Sequence, residues 1–150
     1  MALIAAVALH VTDMDTSLKF WVDTLGMRKG MDTGWTDEAP IFGPAGMTDA
    51  SAVRICVLID ADVPEDAPMA DQPPGILLMQ FEGIDRDPVK ARFQDPGTMH
   101  IAMYVKDLDE SIARFEAAGH QLLGPVGPSL MGTRLGMFTD PDGFTVELLG

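Results

Sequence analysis

The chain of 150 residues has few basic residues, a single cysteine and no long apolar run. Ten Lys and Arg stand against 23 Asp and Glu, which gives a net charge of −13 and makes nucleic acid and anionic membranes poor partners. The lone Cys56 excludes an internal disulfide, and its apolar surroundings favour a buried, inert thiol. The apolar stretch 3–11 follows no basic residue and is too short to cross a bilayer. We therefore expect a cytoplasmic protein, and the length is ordinary for one domain.

An internal repeat is the most informative feature that the sequence does contain. Residues 5–15 and 99–109 match without a gap, each as an alternating apolar run followed by Val-x-Asp-apolar-Asp. Each run predicts a strand, and each following segment predicts a helix because its apolar residues recur at helical spacing. The first helix is predicted from Asp13 to Gly26 and the second from Asp107 to Gly119, since Asp is a common N-cap and Gly a common stop. The apolar stripes that support them are Leu18, Trp21, Val22 and Leu25 in the first half, and Leu108, Ile112 and Phe115 in the second.

Three further strands are predicted after each helix. The turn signal at Asp140-Pro141-Asp142-Gly143 makes the last two strands a hairpin. The pattern predicts an α+β fold of two βαβββ modules, about 4–82 and 98–150, joined by a linker at 83–97. Loops 37–50 and 61–75 break the symmetry and are either functional lids or exposed connections. The predicted strands are 27–34, 52–60 and 75–82 in the first half, and 121–126, 133–140 and 143–149 in the second.

Three stretches carry a resemblance to a known family. They are Val11-Thr12-Asp13-Met14-Asp15 with the Phe20-Trp21 and Leu25-Gly26 that follow, Met99-His100-Ile101-Ala102, and Asp140-Pro141-Asp142-Gly143-Phe144-Thr145-Val146-Glu147-Leu148. The chain resembles, over essentially its whole length, the vicinal-oxygen-chelate superfamily of glyoxalase I, methylmalonyl-CoA epimerase, extradiol dioxygenases and bleomycin- and fosfomycin-resistance proteins. The resemblance implies two βαβββ modules whose curved mixed sheets surround a cup, and often a homodimer. It does not define one reaction, because the fold hosts several.

The resemblance also implies metal ligands on the first and fourth strands of each module. Carried over by position, the second module supplies His100 and Glu147, and the first supplies Gln80, with Glu82 as a substitute. The first-strand position of the first module is Ala6, which departs from the metalloenzyme pattern. One nitrogen and two oxygens suit Fe²⁺, Mn²⁺, Co²⁺ or Mg²⁺ more than zinc.

His10 lies four residues beyond Ala6 and corresponds to Tyr104 in the repeat. Both His10 and Ala6 should point to the same face of a strand, about 13 Å apart. A metal–nitrogen bond is only about 2 Å long, so His10 does not replace the ligand missing at Ala6. We interpret His10 and Tyr104 as the catalytic pair, which contacts substrate or moves a proton.

Two functions remain open at this point. One is a metal-dependent isomerase, lyase or dioxygenase that binds a small, hydrophobic, oxygenated molecule through neighbouring oxygens. The other is a metal-free binding or sequestration protein of the bleomycin-resistance type. Ala6 favours the second, and His100 together with Glu147 favours the first. A buried Glu147 needs a partner, and either a metal or His100 would serve.

Overall fold

The computed structural model describes residues 4–39, 41–47, 49–64, 73–85 and 92–150. The chain divides into two compact units, Met1–Asp87 and Pro88–Gly150, and this division falls inside the predicted linker 83–97. Each unit contains one four-stranded sheet and follows the order βαβββ. The predicted fold class, α+β with two βαβββ modules, is confirmed. Within the described ranges, no helix is both long and apolar enough to cross a membrane.

The first unit has the strand order β1-β4-β3-β2 in its sheet. β1 runs parallel to β4, and the other neighbours are antiparallel. Its helix α1 continues directly into a π-helical segment. The elements are β1 Ala6–His10, α1 Met14–Leu18, the π-helical segment Lys19–Thr24, β2 Arg28–Thr36, β3 Ala52–Ile59 and β4 Gly75–Glu82.

The second unit repeats this topology, with the strand order β5-β8-β7-β6. β5 runs parallel to β8, and β8 pairs antiparallel with β7 through the predicted Asp140–Gly143 turn. The Asp140 carboxylate accepts hydrogen bonds from the backbone N–H groups of Asp142 and Phe144, so the predicted hairpin is confirmed. The elements are β5 His100–Tyr104, α2 Leu108–Ala117, β6 Gly127–Pro128, β7 Arg134–Thr139 and β8 Thr145–Leu149.

Both helices begin and end where the sequence predicted. Asp13 Oδ1 accepts a hydrogen bond from Thr16 N at 2.7 Å, and Asp107 Oδ1 accepts one from Glu110 N at 2.9 Å. The stops at Gly26 and Gly119 have φ of 92° and 90°, a left-handed conformation that only glycine adopts without strain.

The interior of the first helix differs from its prediction. Leu25 N donates to Phe20 O at 2.9 Å, five residues back, which is π-helical winding. Because a π-turn holds more residues than an α-turn, the predicted apolar stripe is only half right. Trp21 and Leu25 are buried, whereas Leu18 and Val22 are half-buried. The buried side of this segment is formed by Met14, Ser17, Phe20, Trp21, Thr24 and Leu25.

The strand predicted at 121–126 is wrong. β6 comprises only Gly127–Pro128, because the segment before it contains Gly124 and Pro125, which disfavour a regular ladder. The other predicted strands lie within two residues of the observed bounds.

One face of each sheet packs against the helix of its own unit. In the second unit Phe115 of α2 packs against Phe138, with ring centroids 4.6 Å apart, and Phe138 pairs with Val146. Val146 and Leu148 are fully buried on this side. Cys56 is also fully buried, and burial raises the pKa of its thiol, in agreement with an inert cysteine.

The opposite face of the first sheet is covered near the end of β4 by part of the predicted loop 37–50. Val53, Met79 and Phe81 are buried there together with Ala39. Ile41, Phe42 and Met47 pack on this cluster, so the described residues 39 and 41–47 form an apolar cover, which we call the cover segment. The predicted loop 61–75 falls mostly outside the described residues, since 65–72 are not described.

Candidate functional site

His100 and Glu147 are brought together on the second sheet. His100 opens β5 and pairs with Thr145 of the parallel strand β8, so Glu147 is its diagonal neighbour. His100 Nε2 lies 3.0 Å from Glu147 Oε2. The side chains are 37% and 12% exposed, so the carboxylate is sheltered and the imidazole is partly open to solvent.

The direction of the Glu147 side chain follows from strand alternation. Its neighbours Val146 and Leu148 face α2, so Glu147 points to the other face of the sheet, which we call the open face. A sheltered carboxylate is costly without a hydrogen-bond partner, and His100 provides one.

Phe93 contacts the same imidazole and was missed by the sequence analysis. Its ring centroid lies 5.2 Å from that of His100, with the planes tilted by 34°. Phe93 falls in the predicted linker, where no periodicity or motif marks it. The one signal there was an aromatic residue placed shortly before a strand that opens with histidine.

The predicted catalytic residue Tyr104 lies on the same open face as His100 but at the other end of β5. It is exposed and pairs with Leu149, while Ala102, between the two, pairs with Glu147. Four residues of strand separate Tyr104 from His100 by about 13 Å. At this distance the Tyr104 hydroxyl could not coordinate an ion that His100 held.

Ala6 occupies the position in the first sheet that His100 occupies in the second. Ala6 pairs with Gly75, the first residue of β4, as His100 pairs with Thr145, the first residue of β8. His10 correspondingly pairs with Met79, as Tyr104 pairs with Leu149, so the predicted correspondence of the two halves is confirmed in this ladder. The first strand therefore offers no metal donor at this position.

His10 lies beside the apolar cluster of the first unit. Its ring packs edge-on against Phe81, with centroids 5.4 Å apart and planes at 82°. Since Phe81 belongs to the cluster under the cover segment, His10 lies on the sheet face opposite α1, as its alternation with Leu9 predicts.

The register of β4 corrects the alignment on which Gln80 rested. Ala8 pairs with Leu77 where Ala102 pairs with Glu147, so the counterpart of Glu147 is Leu77 and not Gln80. An odd shift of three residues moves a side chain to the opposite face of a strand. Gln80 accordingly points towards α1, where its Oε1 accepts a hydrogen bond from Met14 N at 2.8 Å.

Gln80 thus pairs with a backbone N–H in the first turn of α1. The alignment with Glu147 that made Gln80 a candidate metal ligand does not hold. The substitute Glu82 shares its side of β4 and is exposed at the strand end. Among the described residues, no group of three or more His, Cys, Asp and Glu side chains is arranged to hold a metal. The metal donors that the described second unit brings together are His100 and Glu147.

The arginines of β3 and β7 are engaged by carboxylates. Arg54 donates to Asp32 at 3.1 and 2.8 Å and to Asp15 at 3.0 Å, and Arg134 donates to Asp109 at 3.0 and 2.9 Å. The Arg54 hydrogen bond holds the pKa of Asp32 well below its usual value. Both arginines are therefore paired with carboxylates of their own unit.

Comparison with known proteins identifies the same fold. The family model described as "Glyoxalase/Bleomycin resistance protein/Dioxygenase superfamily" matches residues 3–148. Among curated protein sequences there is no significant match. A glyoxalase family protein from Bacillus cereus is 18% identical, with a TM-score of 0.81 over 99% of this chain and 93% of that one.

Two further solved structures are similar in fold. The trypanothione-dependent glyoxalase I of Leishmania major is 21% identical, with a TM-score of 0.65 over 100% of this chain and 87% of that one. A mutant of the fosfomycin resistance protein FosX from Listeria monocytogenes, complexed with Mn(II) and 1S,2S-dihydroxypropylphosphonic acid, is 18% identical, with a TM-score of 0.64 over 99% of this chain and 92% of that one.

Proposed function

The chain belongs to the Glyoxalase/Bleomycin resistance protein/Dioxygenase superfamily, and on that premise we propose that it is a divalent-metal-dependent enzyme acting on a small molecule with two neighbouring oxygens. His100 and Glu147 are proposed as two of the metal ligands. The observation that carries the proposal is the 3.0 Å separation of His100 Nε2 and Glu147 Oε2 on the open face of the second sheet.

This separation fits a shared metal ion. Two donors that each lie about 2.1 Å from one ion, at a right angle, are about 3.0 Å apart. One imidazole nitrogen and one carboxylate oxygen, without a thiolate, suit Mn²⁺, Fe²⁺, Co²⁺ or Mg²⁺. The FosX structure from Listeria, which shares the fold, contains Mn(II). With few protein donors, positions remain for water and for two substrate oxygens.

A bound divalent ion would supply Lewis-acid polarisation of a substrate carbonyl or enediolate oxygen. The chain's own residues would orient the substrate and move protons. Before an ion binds, Glu147 and His100 contact each other directly, and an ion would replace the proton between Nε2 and Oε2. Tyr104 is proposed to contact the substrate from the far end of the open face, and His10 is proposed as a second proton-transfer group.

The open face of the second sheet favours an uncharged, partly apolar substrate. Between His100 and Tyr104 it presents Ala102, and strand β7 adds Met137. Leu149 also points to this side but is buried. The described residues of β5, β7 and β8 on this face include no Lys or Arg, because Arg134 alternates to the side of α2 and pairs with Asp109. Away from the proposed ion, a charged group lying along these strands would find no Lys or Arg partner on this face, so we expect the part of the substrate that extends from the metal to be uncharged.

A metal-free binding protein is the second candidate, and two observations favour it. Ala6 supplies no donor at the counterpart of His100, and His100 already satisfies Glu147 without an ion. In that case the open face would hold an apolar molecule by burial alone.

Metal analysis of protein purified without chelators separates the two candidates. The wild type is expected to contain a divalent metal, and Mn²⁺ at a hundredfold excess over its Kd would stabilise it by about 2.7 kcal/mol, or about 5–11 °C in Tm. His100→Ala and Glu147→Ala should lose both effects, whereas His10→Ala should retain them. Absence of metal and of any Tm shift in the wild type would favour the binding protein. Loss of metal in His10→Ala with retention in His100→Ala would contradict the proposed ligands.

A further inference from the structure

The imidazole of His100 is held on two sides. Its side chain is 37% exposed at the start of a strand, and an exposed side chain ordinarily samples several rotamers. Glu147 restrains Nε2 at 3.0 Å, and the Phe93 ring contacts the imidazole with its centroid at 5.2 Å. Glu147 provides one directional bond, around which the imidazole can still tilt, and the Phe93 ring limits that tilt.

The turn that carries Phe93 is itself fixed by hydrogen bonds. Arg92 and Asp95 form an ion pair at 2.6 Å, and the Arg92 backbone N–H donates to the same carboxylate at 2.8 Å. This pairing lowers the pKa of Asp95. Thr98 Oγ1 donates to the Phe93 carbonyl at 2.9 Å. The backbone on both sides of Phe93 is therefore held, and the ring is presented to His100 from a defined position.

We propose that Phe93 is a positioning residue that keeps the His100 imidazole in the orientation that directs Nε2 towards Glu147. Phe93 is 53% exposed, so filling the core does not account for its place. An aromatic pair of this kind corresponds to about a 2- to 12-fold population ratio. Without the ring, the ratio of correctly oriented to misoriented His100 falls by that factor, so the oriented fraction, and any affinity that depends on it, falls by at most that factor.

The consequence for metal binding rests on the proposed function, whereas the orientation of the imidazole does not. Two measurements test the orientation of the imidazole and its effect on metal binding separately. The first is NMR of the metal-free protein, in which the carbon-bound imidazole protons of the three histidines are assigned from single His→Ala variants. Phe93 should shift the His100 protons by its ring current and show cross-relaxation with them. The second is Mn²⁺ affinity measured by titration.

Phe93→Leu removes the ring and retains an apolar side chain, Phe93→Tyr retains the ring, and Leu130→Ala is the matched control because Leu130 is fully exposed. We expect Phe93→Leu to average the His100 Hα–Hβ couplings over several rotamers, which loss of the ring-current shift alone would not show, and to weaken Mn²⁺ binding by at most about 12-fold. Phe93→Tyr should restore both, and Leu130→Ala should change neither.

Unchanged His100 Hα–Hβ couplings in Phe93→Leu would overturn the inference, even if the variant were less stable in urea, because Phe93 would then serve only its own turn. If the wild type binds no Mn²⁺, the proposed metal function fails, and the NMR comparison alone decides the role of Phe93. If Mn²⁺ binds equally to the wild type and Phe93→Leu, the metal function stands and positioning by Phe93 is rejected.

Discussion

Replacing Arg54 by Met should destabilise the protein far more than the equivalent replacement of Arg134. The two arginines occupy matching positions in the repeat, and each pairs with an Asp in the first turn of the helix of its own unit, Asp15 or Asp109. Arg54 also makes a two-bond contact with Asp32, at 3.1 and 2.8 Å, for which the second unit has no counterpart among the described ion pairs. The two substitutions therefore form a matched pair.

The size of the expected stability difference follows from the solvent exposure of the two ion pairs. The Arg54 and Asp32 side chains are 20% and 19% exposed, so removal of the guanidinium leaves a sheltered carboxylate with Lys29 at 3.6 Å as its nearest cation. Loss of such charged hydrogen bonds costs about 2–3 kcal/mol. Arg134 and Asp109 are 54% and 71% exposed, so solvent screens their attraction and Arg134→Met should change the stability little. We expect a difference in Tm of roughly 4–8 °C between the two variants.

The pH dependence provides an independent check. The Arg54 hydrogen bond lowers the pKa of Asp32 from its usual 3.8. A carboxyl group with a depressed folded-state pKa stabilises the protein fully above the unfolded-state pKa, and this contribution is lost as the pH falls below it. The stability difference between the wild type and Arg54→Met should therefore be constant near neutral pH and should narrow below a pH of about 4.

Urea unfolding followed by circular dichroism, at pH 7 and at pH 3, measures both effects. Equal losses for the Arg54 and Arg134 variants at pH 7 would refute the assignment of Asp32 as the decisive partner. A difference that widens on acidification would refute the direction of the pKa shift.

Three further predictions concern Gln80, the cover segment and the assembly. Gln80→Leu should lower the free energy of unfolding by about 1 kcal/mol, because Met14 N loses its hydrogen-bond acceptor. Mn²⁺ binding should be unchanged, and loss of metal would reinstate Gln80 as a ligand. Met79→Ala should lower the free energy of unfolding by about 2–5 kcal/mol, because it opens a cavity under the cover segment. Hydrogen exchange at the Met47 amide should become faster, and unchanged exchange there would contradict the packing. Finally, light scattering should show a homodimer, as the resemblance implies, and a mass near 16.1 kDa would contradict this.

Local signals in the sequence determined much of this protein. The repeat of 5–15 and 99–109, the Asp caps and the glycine stops predicted where strands and helices begin and end, because these depend on residues close together in the chain. The correspondence of Ala6 with His100 also followed, since no insertion separates the first strands from their helices. His100 and Glu147 were matched by the resemblance, and their contact agrees with it.

Register and side-chain face were decided only by the tertiary structure. Between β3 and β4 the first unit carries a long insertion. Comparison of the two sequences therefore could not determine which residue of β4 corresponds to Glu147, and it selected Gln80. The ladder between β1 and β4 sets that offset by hydrogen bonding and places Leu77 there, which turns Gln80 to the helix side. The contact of Phe93 with His100 likewise depends on a turn whose folding brings a linker residue onto a strand. Such contacts join segments with no shared periodicity, and only the packed chain determines them.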